Sequence, residues 1–432
     1  MWSRFWRRTL GCSFPSDDRV AWLHWLLPAF AIALLGATRS LWLNPGQFPQ
    51  VPWFSWGCWV PHRVDLGLLV VVATSLITVS CAALESRFGR GALWLFVCAM
   101  TGLLLLDQHR AQPWAYQFVL TAFVLAAAPS RQAIGLLRLL TISIYLHSAV
   151  SKCDYSFCEG LGRSFLMELY NLVWGPPPVG ALPWPTNAWP LLFPLGELLI
   201  AVGLIWPRSR RCALWAATGM HLLLLVILGP WGLQHSWGVL IWNAYFIAQN
   251  FLLFGGGRHN SVNLSATEAV VDQPASRGQT AATVLIVWAA LWPCLEPWGH
   301  CDLWPAWGLY AQHGEQLKVW VSDDALHRLP PNWRASATRS LRSAGDSWEW
   351  QLRPQTESLK STAAPLYPQN RFQLGVVLDL VRKSNIPSQE ISAEWFFPAN
   401  RWTGARRSIR LSTLKDMESA ADHCRLNARP RN

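Results

Sequence analysis

Apolar positions along this chain gather into long runs rather than alternating with polar ones. Nine such runs follow one another at 22–37, 65–84, 92–106, 114–128, 133–150, 188–206, 212–229, 236–254 and 280–295. A helix needs roughly 20 apolar residues to cross the hydrocarbon of a bilayer, and flanking Trp and Gly extend the shorter runs to that length. The pattern predicts about nine transmembrane helices, with eight as the alternative. A polar stretch, GGGRHNSVNLSATEAVVDQPASRGQ (Gly255–Gln279), separates the last two runs and reads as a flexible linker.

From Glu296 the pattern changes. Residues 305–432 contain no run of spanning length, and alternation at QLKVWVS (Gln316–Ser322) and SWEWQLR (Ser347–Arg353) predicts strands. A helix is expected over Asn370–Ser384, closed by Asn385, Ile386 and Pro387. The expected fold is therefore an all-α polytopic membrane bundle (1–293) followed by a small C-terminal α+β extracytoplasmic domain (294–432).

Composition supports this division. Hydrophobic residues make up 52% of the chain and charged residues 14%, against roughly 25% charged in soluble domains. Many of the 29 tryptophans, including Trp53, Trp56, Trp184, Trp237 and Trp298, stand at the ends of apolar runs, where an amphipathic ring suits the headgroup layer. The net charge of +11 raises nucleic acid as a partner, but no Lys/Arg-rich run of that character is present. Instead the arginines sort by loop. With nine spans and a cytoplasmic N-terminus, twelve arginines fall on the inner side and five Lys/Arg on the outer, the asymmetry that orients membrane proteins. RRTLGC (Arg7–Cys12) has no apolar core between its arginines and Cys12, and reads as a cytoplasmic anchor, not a lipid-attachment or twin-arginine signal.

Of the ten cysteines, Cys58, Cys153, Cys158, Cys294, Cys301 and Cys424 lie at or near the oxidising side of this topology. Disulfides among them are credible, and their pairing is not fixed by spacing. A zinc site from His147, Cys153 and Cys158 lacks a second ligand pair at zinc-like spacing; no metal is expected.

The densest chemistry lies at the end of the fifth run. Arg138, Tyr145 and Lys152 are seven apart, so they fall within about 20° per step on one helical stripe. Ionisable groups inside membranes face the protein interior or a wet cavity, which makes this stripe a candidate site; snorkelling of Arg138 and Lys152 to the interface is the bland alternative. Asp154 and Glu159 are expected to shape a loop capping Lys152. His147, half a turn away, reads as a packing residue. Glu197 and His221 fall near the middle of their own runs, where a buried acid–histidine pair would offset the cost of either alone.

LRLLTISIYLHSAVSKCDYSFCEG (Leu137–Gly160) resembles, without gaps, the hallmark segment of the vitamin K-dependent gamma-carboxylase-like membrane family, also called the horizontally transferred transmembrane domain family. Arg138, Tyr145, Lys152, Asp154, Phe157, Glu159 and Gly160 carry the resemblance. An acid in PLGELLIAVGLIWPRSRR (Pro194–Arg211) and a histidine opening HLLLLVIL (His221–Leu228) are similar in kind. The resemblance implies a bacterial inner-membrane protein that uses a reduced, vitamin K-like quinone, with Lys152 as the base that deprotonates it and Arg138, Tyr145, Glu197 and His221 around the cofactor. A desolvated lysine is a plausible base on physical grounds as well. One departure stands out: where the carboxylases carry an Asn-Asn-His stretch with a catalytic role for the histidine, this chain has Gln112, Pro113 and Trp114, with His109 nearby but out of register.

Two functions follow as expectations. One is a quinol-dependent membrane enzyme using Lys152, acting on an extracytoplasmic protein substrate. The other is a non-catalytic scaffold, embedded in membrane lipid, that presents its C-terminal domain to a partner. A transporter is disfavoured by the lack of an internal repeat or paired broken helices.

Overall fold

The computed structural model describes residues 16–43, 46, 48–175, 188–255, 276–340 and 350–431. RRTLGC, most of the Gly255–Gln279 linker and Ser347–Glu349 lie outside these residues. Every one of the nine apolar runs is helical: α1 (Ser16–Ala37), α2 (Arg63–Cys81), α3 (Arg87–Leu106), α4 (Pro113–Ala127), α5 (Ser130–Lys152), then, after two amphipathic helices α6 (Tyr155–Glu159) and α7 (Leu161–Trp174), α8 (Leu192–Ile205), α9 (Arg210–Leu228), α10 (Trp237–Phe254) and α11 (Arg277–Leu291). Seven of them are long and apolar enough to cross a membrane; α4 and α8 are shorter.

Local chemistry sets the ends. Ser86 caps α3 by accepting from the Gly89 N–H at 2.9 Å. Ser276 and Gln279 form a reciprocal capping box, which pulls the last residues of the expected linker into α11. Pro113 opens α4 at its first position, where a missing N–H costs nothing. The shortness of α4 has a packing reason. At 1.5 Å per residue its 15 residues reach about 22 Å, but most of them, including Trp114, Phe118 and Leu125, are buried among the other helices. A helix enclosed by protein has no lipid thickness to match. By contrast α2 shows Leu66, Val70 and Ile77 on the outside of the bundle, an apolar face of the kind a bilayer covers.

After α11 the chain builds a five-stranded antiparallel sheet in the order β2-β3-β1-β4-β5, from β1 (Gln316–Val321), β2 (Thr338–Arg339), β3 (Trp350–Leu352), β4 (Ile391–Phe396) and β5 (Ser408–Leu411). Val319 pairs with Leu352 on one side and Ala393 on the other. The face bearing Leu317, Val319 and Val321 joins a core with Phe372, Val376 and Leu380 of α12 (Asn370–Ser384). Asn385 ends α12 in the left-handed conformation at φ 48°, as the sequence pattern anticipates.

This second core also contains Phe48 and Val51, from the α1–α2 connection, and Ala111, from the α3–α4 connection. A buried ion cluster reinforces the seam: Asp65 lies 2.7 Å from both Arg110 and Arg431. The helical part and the C-terminal part are thus packed along one continuous face, called the sheet side below.

Candidate functional site

On α5, Tyr145, Ser148 and Lys152 share one face. Lys152, the last residue of the helix, donates to Ser148 Oγ at 2.7 Å and to Glu197 Oε1 at 2.9 Å, with Oε2 at 2.8 Å. The two side chains are only 4% and 11% exposed, so this is a buried pair and not a surface one. Deeper in the bundle the Tyr145 hydroxyl is 2.7 Å from His221 Nε2, and His221 Nδ1 is 2.8 Å from Asn243 Oδ1. The Asn243 amide donates to Val239 O, which leaves its oxygen as acceptor. The hydrogen-bond network therefore assigns the His221 proton to Nδ1 and makes Nε2 the acceptor of the Tyr145 hydroxyl. That hydroxyl in turn accepts from Asn250 Nδ2 at 2.6 Å. Behind it runs a satisfied amide chain, Trp242 to Gln117 to Gln249 to Thr141, with links of 2.8, 3.1 and 3.0 Å.

Both polar groups open onto a cavity of about 530 Å³ between α5, α8, α9 and α10. Its walls carry Tyr145, Ser148, Lys152, Glu197, His221 and Asn243, and are otherwise apolar apart from Trp242, Ser209 and Tyr310. Gly196, Gly203, Ala213, Ala216 and Gly219 make the room between α8 and α9. Gly203 is required for the close approach, because a Cβ there would lie 2.8 Å from Ala213 Cβ. Lining residues Leu192 and Leu199 are 54% and 62% exposed, so the cavity opens sideways past α8 to the outside of the bundle.

Several expectations need correcting. Glu197 pairs with Lys152, not His221. It is the sixth residue of α8, whose first turn lies at the sheet side, level with the end of α5. His221 is the twelfth residue of α9 and meets Tyr145, two turns further down α5. Arg138 does not reach the cavity: fourteen residues below Lys152, or about 21 Å along the helix, it donates from Nε to Leu253 O at 2.7 Å and covers the Phe254 ring. The stripe is real, but the site occupies only its upper half. Asp154 does not cap Lys152. One carboxylate oxygen caps α6 by accepting from the Phe157 N–H at 2.7 Å, and the other is 3.2 Å from His313 Nδ1.

His313 lies beside the site and does not line the cavity. Its Nε2 lies 3.0 Å from Glu296 Oε1, while Arg401 bonds Glu296 Oε2 at 2.6 Å and Val150 O at 2.9 Å. Burial alone would lower the imidazole, but hydrogen bonds to Asp154 and Glu296 outweigh it and hold His313 above its ordinary pKa. His147 bonds Ala290 O at 2.9 Å, a packing role. The described cysteines are free thiols, and no cluster of metal-binding side chains is formed among the described residues.

Neither residue near the departure from the carboxylase pattern faces the cavity. Trp114 is buried against Trp42 and Phe118, with ring centroids at 5.6 and 6.0 Å. His109 is enclosed in the seam, its Nε2 near Pro365 O and Ser358 Oγ, and burial holds its pKa down to about 4. No protein-family model matches the chain, and comparison with curated proteins and with solved structures returned no match either.

Proposed function

We propose that this is an integral membrane protein that binds a reduced quinone in the α5–α8–α9–α10 cavity, with Lys152 as the base that takes the quinol proton. The observation that carries this reading is the buried Lys152–Glu197 pair on the wall of a largely apolar cavity open to the side. The volume suits a small-molecule ligand. The polar groups cluster where a ring with two oxygens would sit, and the opening past Leu192 and Leu199 suits a hydrocarbon tail. A quinol, when bound, would supply ionisable hydroxyls.

The chain's own residues do the rest. The Lys152 amine and Glu197 carboxyl, 2.8 Å apart, can hold one proton between them, so the amine is freed as acceptor when Glu197 carries the proton. Ser148 fixes the amine's direction. Tyr145, oriented by His221 and Asn250, offers a second hydrogen-bonding group on the same wall. Excluding water from this wall strengthens each interaction.

The arginine distribution supports a cytoplasmic N-terminus in the bacterial inner membrane and an extracytoplasmic sheet side, where a protein substrate or partner would approach. With no histidine from the Gln112–Trp114 segment at the cavity, the reading stops at quinol deprotonation and does not extend to glutamate carboxylation. A second reading, a scaffold that presents the C-terminal domain, is favoured by the shared core and the buried Asp65–Arg110–Arg431 seam. The test is quinol binding and ionisation by the purified protein in lipid nanodiscs. The first reading expects Lys152→Ala to insert and fold yet no longer ionise the bound quinol; a protein indifferent to Lys152, Glu197 and His221 substitutions favours the second.

A further inference from the structure

One wall of the cavity comes from outside the apolar helices. Leu309 and Tyr310, from the segment between α11 and β1, line it together with Lys152 and Glu197. We infer that the Tyr310 hydroxyl is a ligand-binding group of this site, a hydrogen-bond contact for a polar oxygen of the occupant. The inference rests on the cavity's being a quinol site and adds a contact that α5 and α8 do not supply.

The segment is built to hold that ring in place. Trp307 and Tyr310 both adopt the left-handed backbone conformation, at φ 58° and 61°. Side chains other than glycine are disfavoured there, and such residues persist only where their surroundings fix them; they concentrate at functional sites. The surroundings here are specific. Trp307 is fully buried, its ring centroid 4.2 Å from that of Tyr116 on α4, and the Tyr116 hydroxyl bonds Trp304 O at 2.8 Å. The Gly308 N–H bonds Leu303 O and the Leu309 N–H bonds Trp307 O, at 2.6 and 2.7 Å. Tyr310 itself packs edge-on against Phe165 and His235, with centroids at 5.6 and 6.0 Å.

The hydroxyl is the part this packing leaves unused. Tyr145, Tyr116 and Tyr367 all use theirs in hydrogen bonds. Among the described residues no hydrogen bond engages the hydroxyl of Tyr310, although its ring is largely enclosed. Tyr310 is half-buried and lines the cavity, so its hydroxyl is available to a polar atom of an occupant there. Burial of the ring, and after it the nearby Glu197 charge, raise the phenol above its ordinary pKa, so it stays protonated and can donate.

The experiment compares two probes on the full chain in nanodiscs: a 1,4-naphthoquinone with a short alkyl tail, and the alkylnaphthalene that lacks both oxygens. Tyr310→Phe keeps the ring, its contacts and its backbone, so the thermal midpoint should not move. Loss of one hydrogen bond predicts about 3–10-fold weaker naphthoquinone binding, with alkylnaphthalene binding unchanged. Tyr310→Asn, which tolerates the left-handed backbone but removes the ring, should weaken both probes. Naphthoquinone binding by Tyr310→Phe equal to wild type, or an equal loss for both probes, overturns the inference while leaving the quinol reading in place. A wild-type protein that binds neither probe overturns both.

Discussion

Removing Glu197 alone should destabilise the protein more than removing both members of the Lys152–Glu197 pair. With charges 2.8 Å apart, Coulomb attraction at an effective dielectric of 20 is about 6 kcal/mol. Desolvation of two side chains with little exposure offsets most of that, so the pair's net contribution is small. Removing one partner is different, because an uncompensated charge stays buried, at about 3–5 kcal/mol. Glu197→Gln should fall within that range, with Lys152 left on Ser148 alone. Lys152→Met should fall below it, since an abandoned Glu197 can take up a proton. The double variant removes both charges and should be close to the milder single, which gives a coupling energy equal to the cost of Glu197→Gln, about 3–5 kcal/mol. Denatured chains in micelles retain some polar partners, which pulls the measured value toward the lower end of that range. The assay is SDS titration in mixed micelles, followed by fluorescence, with all four proteins. Effects that add within about 0.5 kcal/mol would mean that each group is solvated on its own, and the buried-pair account of the site would be wrong.

Two further outcomes are expected. His313 faces Asp154, Glu296 and Arg401, and its folded-state pKa is raised. Its stabilisation is therefore complete below the unfolded value of about 6.5 and fades as pH rises through the folded value. The thermal midpoint should fall from neutral to mildly alkaline pH in the wild type, and this slope should be shallower in His313→Asn; parallel curves contradict the assignment. Gly203→Val places side-chain atoms against Ala213 and into the cavity, so quinone affinity should drop about tenfold while overpacking costs about 1–3 kcal/mol of stability. Unchanged affinity would show that the α8–α9 end of the cavity is not used.

The apolar runs were legible because membrane-length hydrophobicity is a local property. The same holds for β1 and for α12, whose end at Asn385 is written in a residue that tolerates positive φ. The shared face of Tyr145 and Lys152 followed from helical periodicity. Periodicity, however, does not say how far along a stripe a cavity extends, which is why Arg138 was included and proves to hold the end of α10 instead. Depth within a run was also misleading: the run containing Glu197 becomes a helix only from Leu192, so counting from the run's start set Glu197 too deep and matched it to His221. Gln249 and Asn250 interrupt an apolar run and could have been flagged on that ground. Tyr310 could not, since it reaches the site through tertiary packing of a segment with no distinguishing pattern.

The most direct measurement of the central claim is the absorption spectrum of a naphthohydroquinone bound anaerobically to the protein in nanodiscs. Ionisation of the ring hydroxyl shifts the spectrum to longer wavelength, so the proton's position is read without turnover. The account predicts an ionised spectrum with wild type and a neutral one with Lys152→Ala at comparable occupancy. A neutral spectrum in both, or an ionised one that survives loss of Lys152, would contradict it.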